Sequence, residues 1–428
     1  MAKKFGIPTA LLVTAVLTYG VWVSLPRSQY SAEAESILQR ASQRDRTDRE
    51  LAKDATNNGY LNPNLLVVWG RKDIELKPDA EIHDTLQKVL NSCDLAQGQD
   101  TDLEGAVREK KADVLQRFQS FEKIYPLFRQ SAYTQNFLVP YEKDVDGSRL
   151  IPNYLGLRKL AQACSGYAEL LTLQGKSDQA LEVCGDMLAF ARQIGQLHGT
   201  SLSVMIRCSL QAIAQHTAAM VLDSSRPSPK ALRIFAQQLR ETQLDPKSLD
   251  LALESEMLMV TNTFDHPEKQ ADWAFPTAFP GLVAREKRIY YNQYLALAQA
   301  RAKGEKLSPA QTSEATWGDW LLGKRNFPGI NLIPNIPKTD RYLALLRKRQ
   351  GFLHLVVELR LQKAATLNAL KDYKPLDGFD PAQVTVSNGV AHLPIPPEEN
   401  TIWTDALTPS PGMQKWTKLE AAQKEWVL

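Results

Sequence analysis

Hydrophobic and polar positions follow three rhythms along this chain. The first is unbroken: from Phe5 to Leu25 no charged side chain interrupts 21 residues. As a helix that run spans roughly 30 Å, the thickness of a bilayer's hydrocarbon core. Pro26 and Arg27 end it, and Tyr19 and Trp22 stand near its far end, where amphipathic rings favour the interface. The run predicts an uncleaved single-pass anchor over residues 5–25. A cleavable signal peptide is the competing reading. Its apolar region is usually about 7–15 residues and ends in a small-x-small site. Val21-Trp22-Val23 makes a poor cleavage site, and Ala32-Glu33-Ala34 lies well past the run. Lys3 and Lys4 favour an amino terminus inside and the bulk of the chain outside the cytoplasm. Arg27, Arg40 and Arg44 nearly balance them on the other side.

The second rhythm is helical. Leu157, Leu160, Cys164, Ala168 and Leu171 share one face, and Ala180, Cys184, Met187, Ala191 and Ile194 share another. Gln174-Gly175-Lys176-Ser177 separates the two sets, so the spacing predicts an antiparallel helical hairpin. Further helices are expected at about 200–222 and 228–242. Ser228-Pro229, Asp245-Pro246 and Ser308-Pro309 each set a capping residue before proline at a first helical position. Thr101 with Glu104, and Ser308 with Gln311, have capping-box spacing. A long helix is expected over 339–372, apolar on most faces between Phe352 and Leu361. Its polar stripe runs Arg347, His354, Glu358, Gln362.

The third rhythm has a period of two. Residues 384–393 read as a β-hairpin turning at Asn388-Gly389, with Ile402 and Trp403 as candidates to extend the sheet. Leu65 to Trp69 reads as a short extended segment. A last amphipathic helix is expected over 413–426. Residues 31–58 are dense in both charges and read as a solvated helix or stalk. Residues 265–338 are rich in proline and aromatics around one helix, and read as ordered loops. The predicted fold is therefore mainly α: a membrane anchor (1–26), a charged stalk and first helical region (27–148), a helical-hairpin bundle (149–264), a proline and aromatic region (265–338), and a long helix with a small β-hairpin and a final helix (339–428).

Charge narrows the function. Lys plus Arg number 51 against 48 Asp plus Glu, a balance of +3 that gives no electrostatic footprint for nucleic acid. Four cysteines, none in a C-x-x-C pair, make no disulfide scaffold. Cys164 and Cys184 stand ten residues either side of Gln174, at one height of the hairpin. Both are expected to be buried there as packed thiols, with a disulfide as the alternative.

The stretch AELLTLQGKSDQALEVC resembles one tetratricopeptide unit: Gly175 matches its turn glycine and Ala180 its small residue. The pattern's Trp, its other glycine and a second copy at a 34-residue period are missing. The layout as a whole is similar to N-terminally membrane-anchored helical-hairpin proteins of planctomycetes and related bacteria, which share a G-x-x-x-x-A-L turn, here Gly175 to Leu181. Of their usual ending only Asp380-Pro381 is present. That resemblance implies a bacterial inner membrane and a periplasmic body, and carries no known activity.

No catalytic, cofactor-binding or metal site is predicted. Gly175-Lys176-Ser177 mimics the end of a P-loop, but Leu170 stands where its first glycine belongs. None of the six histidines pairs with another at a spacing of four. Glu254 and Glu256, two apart, point to different sides of a helix. Ser120 and Lys123 match S-x-x-K without its companion motifs. The reading favoured is a membrane-tethered interaction or scaffold module with a protein or peptide partner. The alternatives are an enzyme assembled from distant residues, with Glu256, His266 and His354 as first suspects, and a lipid-binding helical domain using the proline and aromatic region.

Overall fold

The computed structural model describes residues 32–54, 56–65, 68, 78–95, 116, 118–141, 153–195, 200–266, 280–305, 336–364, 366–387, 390–393 and 425–427. The expected anchor at 5–25 lies outside them, as do Ile402, Trp403, Ser308, Gln311 and nearly all of the helix expected from Thr101. Among the described residues, no helix is long and apolar enough to cross a membrane. The described chain is mainly helical, with little strand. Its helices are α1 (Ala32–Ala52), α2 (Ala80–Leu95), α3 (Tyr125–Ala132), α4 (Tyr154–Leu173), α5 (Ser177–Ile194), α6 (Ser201–Ser224), α7 (Pro229–Glu241), α8 (Lys247–Asp265), α9 (Pro280–Ala302) and α10 (Ile336–Gln362). Strands β1 (Thr385–Ser387), β2 (Val390–His392) and β3 (Glu425–Val427) complete it.

The chain divides into two compact units. The first takes residues 1–47, 141–150 and 250–337. Within it lies most of α1, a helix as expected but with one packed face rather than solvent all round. Ala34, Ile37 and Ala41 form a buried stripe, and Ala41 packs with Leu258. Arg40 and Arg44 hold the two oxygens of Glu254 at 2.8 and 3.0 Å. Glu256, two residues on, is buried instead. The helix is as expected, but one stripe of it is packed: that stripe is mostly alanine, and the carboxylate that receives the arginines is more than 200 positions away.

The second unit takes residues 48–140, 151–249 and 338–428. Its centre is α5, buried almost throughout from Ala180 to Ala191. Helices α3, α4, α6 and α7 pack on it, and α4 also packs on α6. The α4–α5 turn forms as its sequence requires. Gly175 takes a left-handed φ of +74°. Lys176 N–H then reaches Leu171 O at 2.8 Å and Gly175 N–H reaches Thr172 O at 3.0 Å, the two bonds of a Schellman stop. Thr200 caps α6 through a box with Ser203, and Ser228 caps α7. Cys164 and Cys184 are buried thiols, not a disulfide.

Three expectations are corrected in this unit. Leu65 to Trp69 is not extended where it is described: Leu65 N–H bonds Asn62 O at 3.1 Å and Val68 N–H bonds Leu65 O at 2.9 Å. The preceding 3₁₀ turn, Gly59–Leu61, is fixed by buried Asn58, which donates to Ala52 O and Leu138 O and accepts from Leu138 N–H. The long helix stops at Gln362, ten residues early. Lys363 adopts φ +51° and Ala364 N–H bonds Leu359 O at 2.9 Å, so a lysine makes the stop that glycine usually makes. The C-terminal helix expected over 413–426 is contradicted at its end. Glu425-Trp426-Val427 is a strand, paired antiparallel with β2.

The hairpin expected around Asn388-Gly389 has its two strands in register, Thr385 opposite His392 and Ser387 opposite Val390. Val384, Ala391 and Leu393 share a core with Phe352, Leu355, Val356 and Leu359 of α10. A polar seam fastens α10 to the bundle. Buried Gln350 accepts from Gln211 Nε2 at 3.1 Å and donates to Leu239 O at 2.7 Å, while Gln215 Nε2 donates to Leu346 O at 3.1 Å.

Candidate functional site

Two short stripes meet on the central helix. Tyr125, Arg129 and Tyr133 recur every fourth residue on α3 and its C-cap, and Glu182 and Asp186 do the same on α5. Residues four apart lie on one helical face, so the two stripes face each other where α3 packs on α5.

Asp186 is fully buried. Tyr125 OH donates to its Oδ2 at 2.5 Å and Tyr133 OH donates to its Oδ1 at 2.7 Å. Arg129 Nε stands 3.5 Å from Oδ2, and Arg129 Nη1 pairs with Glu182 Oε1 at 2.5 Å. From α7, Gln238 Nε2 donates to Tyr133 OH at 2.8 Å. Gly185 makes room for that side chain, since a Cβ there would lie 1.8 Å from Gln238 Oε1. Behind the network, Phe128 packs on Phe190 with ring centroids 4.9 Å apart, and Phe190 meets Phe137 edge-on at 5.5 Å.

Burial raises the Asp186 carboxyl above the usual carboxylate range, against the two phenols and Arg129, which favour its ionised form. Burial and the Asp186 charge together hold both phenols well above the usual tyrosine range. Each oxygen of Asp186 accepts from one phenol, so the carboxylate fixes two tyrosine side chains. What reaches solvent is the rim: Tyr133 is 53% exposed although its hydroxyl is anchored, with Arg129 and Glu182 beside it.

The sequence suspects do not assemble. Glu256 is buried in the middle of α8, while His266 is exposed just past its end. Ten residues put about 15 Å of helical rise between them. Both belong to the first unit and His354 belongs to the second. His354 is fully buried in α10, stacked on Tyr373, with Nε2 3.6 Å from Glu358 Oε1. Burial, helped by Arg240, pushes its imidazole down to about 4. Ser120 donates to Gln116 O and Lys123 pairs with Glu81, so that S-x-x-K match has separate local partners. Among the described residues, no group of three metal-ligating side chains occurs.

The Asp186 network was missed in the sequence. Its signal was Y-x-x-x-R-x-x-x-Y followed some fifty residues later by E-x-x-x-D. Neither stripe says by itself that it faces the other. No protein-family model matches the chain, and no curated protein or solved structure matches it significantly.

Proposed function

We propose that this chain is a membrane-tethered interaction module. Residues 5–25 hold it in the membrane, the body lies outside the cytoplasm, and a helical bundle offers the face around Tyr133 to a protein or peptide. The carrying observation is the Tyr133 ring. The residue is more than half exposed, yet its hydroxyl is fixed from two helices by Asp186 and Gln238. Tyr and Arg are the side chains that most often dominate binding energy at interfaces. A ring already held in place loses little conformational freedom when a partner covers it. Ile234, four residues before Gln238 on α7, adds a second exposed apolar side chain to that helix.

The test uses the full chain in its own membranes, with a photo-crosslinking residue replacing Ile234. A discrete crosslinked product is expected, lost in Tyr133→Ala and weakened in Gly185→Ala, which displaces Gln238. A crosslinking pattern indifferent to Tyr133→Ala rejects this face as the binding surface.

A further inference from the structure

Away from Tyr133, Arg207 of the bundle has no partner among the described residues. Arg207, in the second turn of α6, is only 7% exposed. Its buried Nε has no hydrogen-bond acceptor, and no hydrogen bond or ion pair to its guanidinium occurs among the described residues. The side chain lies along the last turn of α5. A Cβ on Gly195 would sit 2.6 Å from Arg207 Cδ and 2.8 Å from Nη1, so the missing Cβ is what admits it. A second guanidinium, Arg192, is near enough to repel it. Arg192 is exposed, and its Nη1 donates to Glu241 O at 3.2 Å. The carboxylate in range is Asp245. Its Oδ1 already accepts from Lys247 N–H at 2.9 Å at the start of α8.

Arginine does not shed its proton in a protein. A buried charge with no partner is strongly destabilising, which is why buried charges are paired. The guanidinium fork matches the oxygens of a phosphate or carboxylate group, and a second arginine beside it favours the more highly charged of the two. We propose that Arg207, supported by Arg192, is an anion-binding site for a phosphate group at this end of the bundle. The chemistry is the same whether the phosphate is free or borne on a lipid headgroup.

Thermal unfolding of the full chain at constant ionic strength tests it. Inorganic phosphate is added in one arm and acetate in another. Phosphatidylcholine vesicles with or without phosphatidic acid make a third arm, free of inorganic phosphate. The expected result is a saturable rise in Tm with inorganic phosphate and none with equal acetate. A rise with phosphatidic acid in the third arm assigns the headgroup as the source, and a rise with inorganic phosphate alone assigns the free anion. Arg207→Met should abolish the rise. It should also unfold at or above the wild-type Tm in phosphate-free buffer, because it removes an uncompensated charge. Arg192→Ala, on an exposed side chain, should weaken the phosphate response roughly two- to fivefold. The proposal is overturned by a wild-type Tm indifferent to both phosphate sources, or by a response that survives Arg207→Met. It is equally overturned if Arg207→Met lowers the phosphate-free Tm or prevents folding, since Arg207 would then be a paired structural residue.

Discussion

Asp186 and His354 are buried for different reasons, and they respond differently to substitution and to pH. Asp186 has three donors around it, so removing it strands two phenols and a guanidinium. Asp186→Ala should cost roughly 3 kcal/mol in urea unfolding. A double-mutant cycle of Asp186→Asn with Tyr125→Phe should give a coupling of about 1 kcal/mol or more, because the pair shares a largely buried hydrogen bond to a carboxylate. Additive effects would place the two side chains in separate networks. His354 is the opposite case. Neither ring nitrogen has a hydrogen-bond partner among the described residues, and its pKa falls from 6.5 to about 4 on folding. Between those values the unfolded chain binds a proton that the folded chain refuses. Stability should therefore fall as pH drops from about 6.5 to about 4, by up to ~3 kcal/mol, and level off below. His354→Phe keeps an aromatic ring against Tyr373 and should remove that share of the slope. Identical slopes for the wild type and His354→Phe across that window would show that His354 does not contribute.

Helix starts and stops were legible where the reason was local. Ser228 before Pro229 caps α7, and Gly175 closes α4, because the hydroxyl and the missing Cβ act within a few residues. The end of α10 was not legible. Lys363 pays for a left-handed backbone that its neighbours impose, and nothing at that position reads as a stop. Lys363→Gly should relieve the strain and raise stability by about 0.5–1 kcal/mol, read as a higher Tm. Gly175→Ala should lower it by about 1 kcal/mol through the same conformation with the opposite sign. An unchanged Tm in both variants would mean that these stops carry no strain. Strand β3 teaches a related lesson. Glu425-Trp426-Val427 continues a helical periodicity in sequence, yet it pairs with β2, because β2 lies in a sheet and presents an open row of backbone groups to it.

For the whole molecule, the location proposed from residues 5–25 makes its own prediction. The full chain should stay with membranes after alkaline carbonate extraction, and a reporter enzyme fused after Leu428 should be active only outside the cytoplasm. Recovery in the soluble fraction overturns the tether, and a reporter active only in the cytoplasm overturns the orientation. By itself the sequence determined the mainly helical class, the α4–α5 hairpin, the two helices after it, the β1–β2 pair and the burial of Cys164 and Cys184. Each is written in periodicity or in a turn residue, and so acts over a few positions. Only the tertiary structure decided that α1 is a packed helix and not a stalk, that α5 sits at the centre of its unit, and that Tyr125, Arg129 and Tyr133 converge on Asp186. It alone also left Arg207 buried with no partner among the described residues. The packing of α1 and the convergence on Asp186 depend on helical faces that meet across more than fifty residues of chain. A helical stripe states its own direction but not its partner, and the partner is set by how all the other faces find cover.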